Sequence, residues 1–159
     1  MESENHSVTL KSFRGDKIEV EFAGKNLWRL ALDVQVVVDI TEGVLRYDIL
    51  KGFPTNMRSG SHVIDPIIPQ FTGNNDYNLA LLCHDFNYTK DKNGQNALSR
   101  LQADNLLRQM VLKSGVLGKF RAALMYRALR IGASSAYNCE NAGVYANAAD
   151  FMKFRWDAR

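Results

Sequence analysis

The strongest constraint on this chain is a change of hydrophobic period partway along it. Before residue 52 apolar side chains recur at every second position: Ile18, Val20 and Phe22 alternate with charges, Val34, Val36, Val38 and Ile40 alternate across Gln35 and Asp39, and Leu45, Tyr47 and Ile49 across Arg46 and Asp48. A period of two turns one side of a segment to the core and the other to water, which is the pattern of half-buried antiparallel strands. Thr41-Glu42-Gly43 supplies a turn, so the two clearest runs predict a hairpin.

After Asn75 the period becomes helical. Asn75 caps a predicted helix from Asp76 through Tyr88, ending before the turn pair Asn93-Gly94. A second helix is expected from about Asn96, with Leu98, Leu101, Ala103, Leu106, Leu107 and Met110 on one stripe and Ser114-Gly115 as its stop. A third runs from about Gly118 to Ile131. The alanine-rich tail from Asn141 to Arg159 carries Phe151, Phe154 and Trp156, and predicts a fourth short helix docked on the body. Between strands and helices lie residues 52–75, with all 3 prolines (Pro54, Pro66 and Pro69); the apolar Val63, Ile64, Ile67, Ile68 and Phe71 predict an ordered loop there. The expected fold class is α+β: a small antiparallel sheet in the N-terminal third followed by three to four helices. A single domain over residues 1–159 is expected, with strands in 8–51, the loop in 52–75 and a helical half in 76–159.

Composition narrows the classes. With 46% hydrophobic residues and a net charge of +3 the chain can bury a core. Its longest uncharged stretch, Pro66 to Asn75, is 10 residues and contains two prolines, well short of the ~18 apolar residues of a spanning helix. The first seven residues show neither the basic nor the apolar region of a secretory signal, so the expected location is a host cytoplasm or a virion. Two cysteines, Cys83 and Cys139, make no disulfide scaffold and read as free thiols.

Chemistry concentrates on the first two predicted helices. His84 and Asp85 are adjacent, and Tyr88 lies one turn beyond both. Asp104 on the next helix can come opposite His84 if the two helices pack as a pair joined through Asn93-Gly94. An imidazole held at one nitrogen by a carboxylate has its tautomer fixed and its other nitrogen available to take a proton from water. Asp85 can hold a hard cation through oxygen ligands, and such a cation polarises a carbonyl. The same four side chains can equally form a satisfied polar network that fixes helix packing without reacting.

Two resemblances attach to these residues. Over roughly residues 45 to 135 the chain resembles a family of small proteins encoded by bacteriophages and prophages that is defined by a domain of unknown function. The resemblance rests on Gly52-Phe53 followed by Thr55-Asn56, on His84-Asp85-Phe86-Asn87-Tyr88, on Arg100 with Ala103-Asp104, and on Met125-Tyr126-Arg127. It makes Arg100 and Asn56 supporting residues. Asn56 is a departure, because aspartate is usual there, and the change removes one possible cation ligand. Over about thirty residues His84-Asp85 with Tyr88 and Asp104 also looks like the catalytic helix pair of the phospholipase A2 superfamily, particularly its short bacterial and parvoviral members. That resemblance implies His84 as the base, Asp85 as a ligand of a Ca2+ cofactor, Asp104 as the carboxylate that orients His84, and Tyr88 as its hydrogen-bonding support. The glycine-rich calcium loop and the cysteines of the secreted enzymes are absent, and Pro69 to Asn75 is the segment that would stand in for the loop. Together the resemblances imply a phage-encoded hydrolase of an ester or related envelope bond. The alternative is a non-catalytic virion or host-interaction protein.

Other features read more simply. From Asn105 to Cys139 there is no Asp or Glu, whereas Arg108, Lys113, Lys119, Arg121, Arg127 and Arg130 give a local charge of +6. Such a face is a solvated helical surface or a meeting place for phosphate, anionic lipid or nucleic acid. No nucleic-acid recognition motif accompanies it. His6 and His62 lack metal-ligand spacing, and Ser59 and Ser61 beside His62 make no nucleophile motif. The partners expected are therefore anionic lipid or another envelope substrate, or virion proteins.

Overall fold

In the computed structural model, residues 8–24, 27–55, 68–132 and 147–158 are described. Strands β1 (Leu10–Gly15), β2 (Val20–Gly24), β3 (Leu27–Leu30), β4 (Val34–Ile40), β5 (Gly43–Ile49) and β6 (Pro54–Thr55) precede helices α1 (Asn75–Asn87), α2 (Arg100–Ser114) and α3 (Lys119–Gly132). A single 3₁₀ turn, Ala148–Phe151, then leads into a last strand, β7 (Met152–Ala158). The fold class is α+β. The strands make two antiparallel sheets, ordered β1-β4-β5-β7 and β2-β3-β6.

The β4–β5 hairpin is the one that the alternation predicts. Val34 faces Ile49, Val36 faces Tyr47 and Val38 faces Leu45 across the ladder. These six side chains and Ile40 are buried, while the intervening Gln35 and Asp48 are exposed. A fully buried Val, Leu or Ile stabilises by roughly 1.5–3 kcal/mol relative to an exposed one, so this apolar face anchors the sheet.

The tail differs from expectation. Met152–Ala158 is not a helix but a strand beside β5, so the sheet is completed from the far end of the chain. Phe151 and Phe154 have helical spacing, but Met152, Phe154 and Trp156 also alternate with Lys153, Arg155 and Asp157, and the period of two prevails because β5 offers an open edge. Gly43 permits the close approach: its φ is +151°, and a Cβ there would lie 2.6 Å from the Asp157 carbonyl oxygen. Trp156 is anchored by donating its indole N–H to the Ala97 carbonyl at 3.2 Å.

Helix α1 is buried on nearly every side, from Tyr77 through His84 and again at Phe86 and Asn87. Phe86 meets Tyr47 edge-on at 4.9 Å and Phe154 at 6.3 Å, and the Tyr47 hydroxyl donates to Asn87 Oδ1 at 3.0 Å, which fixes α1 on the larger sheet. α1 packs against α2, and α2 against α3. Gln109 ties α2 to the start of β1, donating to the Val8 carbonyl and accepting from the Leu10 amide, both at 2.7 Å.

The helix ends differ slightly from their predicted positions. Asn74, not Asn75, caps α1, its side chain accepting from the Tyr77 amide at 3.0 Å. α2 starts at Arg100 rather than near Asn96, because Ser99 and Gln102 form a reciprocal capping box. Gly115 closes α2 in the left-handed conformation at φ +79°, as its place after the last apolar residue predicts. Within the 52–75 loop, Pro54–Thr55 pairs with β3 as β6. The Tyr77 hydroxyl donates to the Pro69 carbonyl, and the Asn78 side chain brackets Thr72, accepting from its amide at 3.0 Å and donating to its carbonyl at 2.8 Å.

Candidate functional site

The polar groups of α1 and α2 meet in the interior. His84 and Tyr88 are one turn apart and both face α2, where Asp104 is completely buried. His84 Nε2 lies 2.9 Å from Asp104 Oδ1, and the Tyr88 hydroxyl donates to the same oxygen. The His84 and Tyr88 rings are 4.1 Å apart, tilted by 44°. From α3, Arg130 Nη1 donates to Asp104 Oδ2 at 2.8 Å, so three helices converge on one carboxylate.

The electrostatics follow from these contacts. Burial pushes the Asp104 carboxyl up, but hydrogen bonds from His84, Tyr88 and Arg130 outweigh it and hold the group below its ordinary value, ionised. Burial, reinforced by the neighbouring Asp104 charge, pushes the Tyr88 phenol well up, so Tyr88 stays protonated and acts as a donor. With a carboxylate opposite Nε2, the neutral imidazole carries its proton there and leaves the lone pair on Nδ1. Only 4% of His84 is exposed.

The supporting residues divide. Arg100 donates Nη2 to the carbonyls of Leu129 at 2.6 Å and Arg130 at 3.1 Å, holding the last turn of α3 and with it the backbone that carries Arg130. It is also a hydrogen-bonding neighbour of the Tyr88 phenol, so it reaches the cluster directly as well as through α3. Asp85 is half-buried and points elsewhere: its Oδ2 accepts from the Thr55 hydroxyl of β6, and its carbonyl accepts from the Thr89 hydroxyl. Asn56 lies outside the described residues, as do His6, His62, Ser59, Ser61 and Cys139.

As a cation site, Asp85 offers donors of the right kind. A carboxylate beside a threonine hydroxyl suits a hard ion such as Ca2+, which takes 6–8 oxygens. Among the described residues, no group of three or more His, Cys, Asp or Glu side chains could hold a metal ion. Among the described residues the set is right in chemistry and short in number.

Arg130 is the contact that sequence reading misses, because it stands out there only as one of many surface cations. A signal exists nonetheless. With no acidic residue from Asn105 to Cys139, any cation of that stretch that comes in from the surface must find its carboxylate on another segment, and Asp104 is the last acid before it. Of the other cations, Lys113 donates to the Lys11 carbonyl and Arg121 to the Val116 carbonyl, and Arg108 lies over the Tyr126 ring at 5.4 Å.

The fold and site therefore define an α+β protein built around a buried imidazole–carboxylate pair shared by two helices. Residues 28–129, which include both members of the pair, match the model of a family described as protein of unknown function (DUF1353), and the chain belongs to that family. Neither the curated proteins nor the solved structures contain a match to it.

Proposed function

We propose that the chain is a small phage-encoded hydrolase of an ester or related bond of the cell envelope, with His84 as its general base. The observation that carries this reading is the single oxygen of Asp104 that receives both His84 Nε2 and the Tyr88 hydroxyl. That arrangement fixes one imidazole tautomer and supports the carboxylate from a second side, which is what a base needs to be presented at its other nitrogen. It also accords with the resemblance in sequence of His84, Asp85, Tyr88 and Asp104 to the phospholipase A2 superfamily. In the reaction, His84 Nδ1 takes a proton from water as the water oxygen bonds to the carbonyl carbon. The ester C–O bond then breaks, and the same proton passes to the departing alkoxide. Asp85, with Thr55 beside it, is the residue that would hold Ca2+, whose chemistry when bound is to polarise the carbonyl oxygen.

The burial of His84 favours a second reading, in which the chain is a virion or host-interaction protein and the cluster only locks three helices together. Purified protein assayed on phospholipid mixed micelles and on a chromogenic carboxylic ester separates the two. Hydrolysis that falls by about 100-fold or more in His84→Ala supports the base role. Hydrolysis unchanged by His84→Ala, or absent from the wild type on both substrates, leaves the structural role standing.

A further inference from the structure

Helix α3 is apolar on two opposite sides. Ala122, Met125 and Leu129 are buried and face the core. At ~100° per residue, Phe120, Leu124 and Ile131 fall within about 40° of one another on the other side of the helix. Phe120 is 80% and Ile131 84% exposed, and Leu124 is half-buried between them. An outward stripe of this kind on a helix that already has a buried one is not needed for packing.

The charges that α3 itself carries are of one sign. Arg127 lies in line with the stripe and Lys119 about 100° round the helix at its start, both exposed, and no Asp or Glu occurs from Asn105 to Cys139. Beside Phe120 a groove of about 460 Å³ is lined by Arg108, Ala123, Leu124, Tyr126 and Arg127, so cations border apolar surface along its length. A solvated helix surface has no use for an exposed Phe and Ile, whereas a nucleic acid would prefer stacking rings to the aliphatic Leu124 and Ile131. Apolar side chains within a cationic border fit a surface that is anionic outside and apolar beneath.

We propose that α3 docks the protein on anionic phospholipid bilayers, with Phe120 and Ile131 entering the headgroup boundary and Lys119 and Arg127 meeting lipid phosphates. The docking is independent of catalysis, and its test reads binding alone. Full-length protein is sedimented with sucrose-loaded vesicles of phosphatidylcholine, with and without roughly 30 mol% phosphatidylglycerol, whose negative surface attracts basic side chains. Wild type binds the anionic vesicles, binding weakens with added salt, and the zwitterionic vesicles retain little protein. Lys119→Glu/Arg127→Glu weakens anionic binding by about thirtyfold or more, because each cation near such a surface contributes several-fold. Phe120→Ser/Ile131→Ser weakens it by about tenfold or more through lost insertion. All four positions are exposed, so both variants are expected to keep the wild-type Tm. His84→Ala binds vesicles like wild type, which keeps this result separate from the hydrolase reading. Equal binding to both vesicle types, or wild-type binding by both double variants, overturns the proposal. So does a wild-type dimer that Phe120→Ser/Ile131→Ser converts to monomer without vesicle binding, since a second copy would then cover the stripe.

Discussion

Replacing Asp104 with alanine tests the centre of the structure. The substitution removes the acceptor for three donors at once: His84 Nε2–H at 2.9 Å, the Tyr88 hydroxyl, and Arg130 Nη1 at 2.8 Å. His84 is 4% and Tyr88 8% exposed, so neither can turn to water. Each buried donor left unsatisfied costs about 1–3 kcal/mol, which makes roughly 2–6 kcal/mol for the two. Arg130 is different: 31% of its side chain is exposed, so it recovers hydration and adds little. For a chain of this length the total corresponds to a fall in Tm of roughly 4–24 °C. Urea denaturation followed by circular dichroism gives the free energy directly, and Tyr88→Phe, which removes one donor and leaves the carboxylate with two, should cost only about 1–2 kcal/mol. A loss below about 1 kcal/mol in Asp104→Ala, with an unchanged native spectrum, would refute the reasoning, because the three contacts could not then be holding the helices.

Three further outcomes are expected. Asp104 is held below the ordinary carboxylate range in the folded protein, so it binds its proton more tightly when unfolded; its stabilisation is complete above the unfolded value of ~3.9 and drains as pH falls towards the folded value. Urea midpoints between pH 6 and 2.5 should accordingly fall more steeply in wild type than in Asp104→Asn, and parallel curves would contradict this. Cys83 is completely enclosed and its thiol is pushed well up by burial, so in a Cys139→Ser background a disulfide reagent should label it only as fast as the protein unfolds, whereas prompt native labelling would place it at the surface. If the hydrolase reading holds, calcium should raise the Tm of wild type and not of Asp85→Asn, following RT ln(1 + [L]/Kd), and equal shifts in the two proteins would remove Asp85 from any cation site.

How much of the fold could be read in advance depended on whether local period and tertiary context agreed. In β4 and β5 every second residue is buried and a glycine turn joins them, so pattern, turn chemistry and packing all point the same way. The stop of α2 was legible for the same reason, since Gly115 can take the left-handed conformation that closes it. The tail was not, because Phe154 shares a helical spacing with Phe151 and an alternation with Met152 and Trp156, and the choice belongs to β5, more than a hundred residues away in the chain. A strand whose partner is that distant carries no local sign of it. The shift of the α2 start from Asn96 to Arg100 is a milder case: the apolar stripe already running at Leu98 points to an earlier start than the one that the Ser99–Gln102 box sets.

The site divides along the same line. His84 and Tyr88 are four residues apart, and helical geometry alone places them on one face, while Asp104 follows once α1 and α2 are read as neighbours. Arg130 enters from a third helix at a sequence separation of 26, and its bond to Asp104 depends on α3 being held by Arg100, which clasps the carbonyls of Leu129 and Arg130. Two arginines thus act in series: one fixes the end of α3, and the other uses that fixed end to reach the carboxylate. This arrangement also bears on function. The Arg130 contact brings the third helix into the cluster, occupying the second oxygen of Asp104 and leaving the first to face His84 and Tyr88, as a lock of three helices also requires. A carboxylate fixed on both oxygens cannot swing away from the imidazole, and on the proposed hydrolase reading that rigidity would present the base by its second nitrogen.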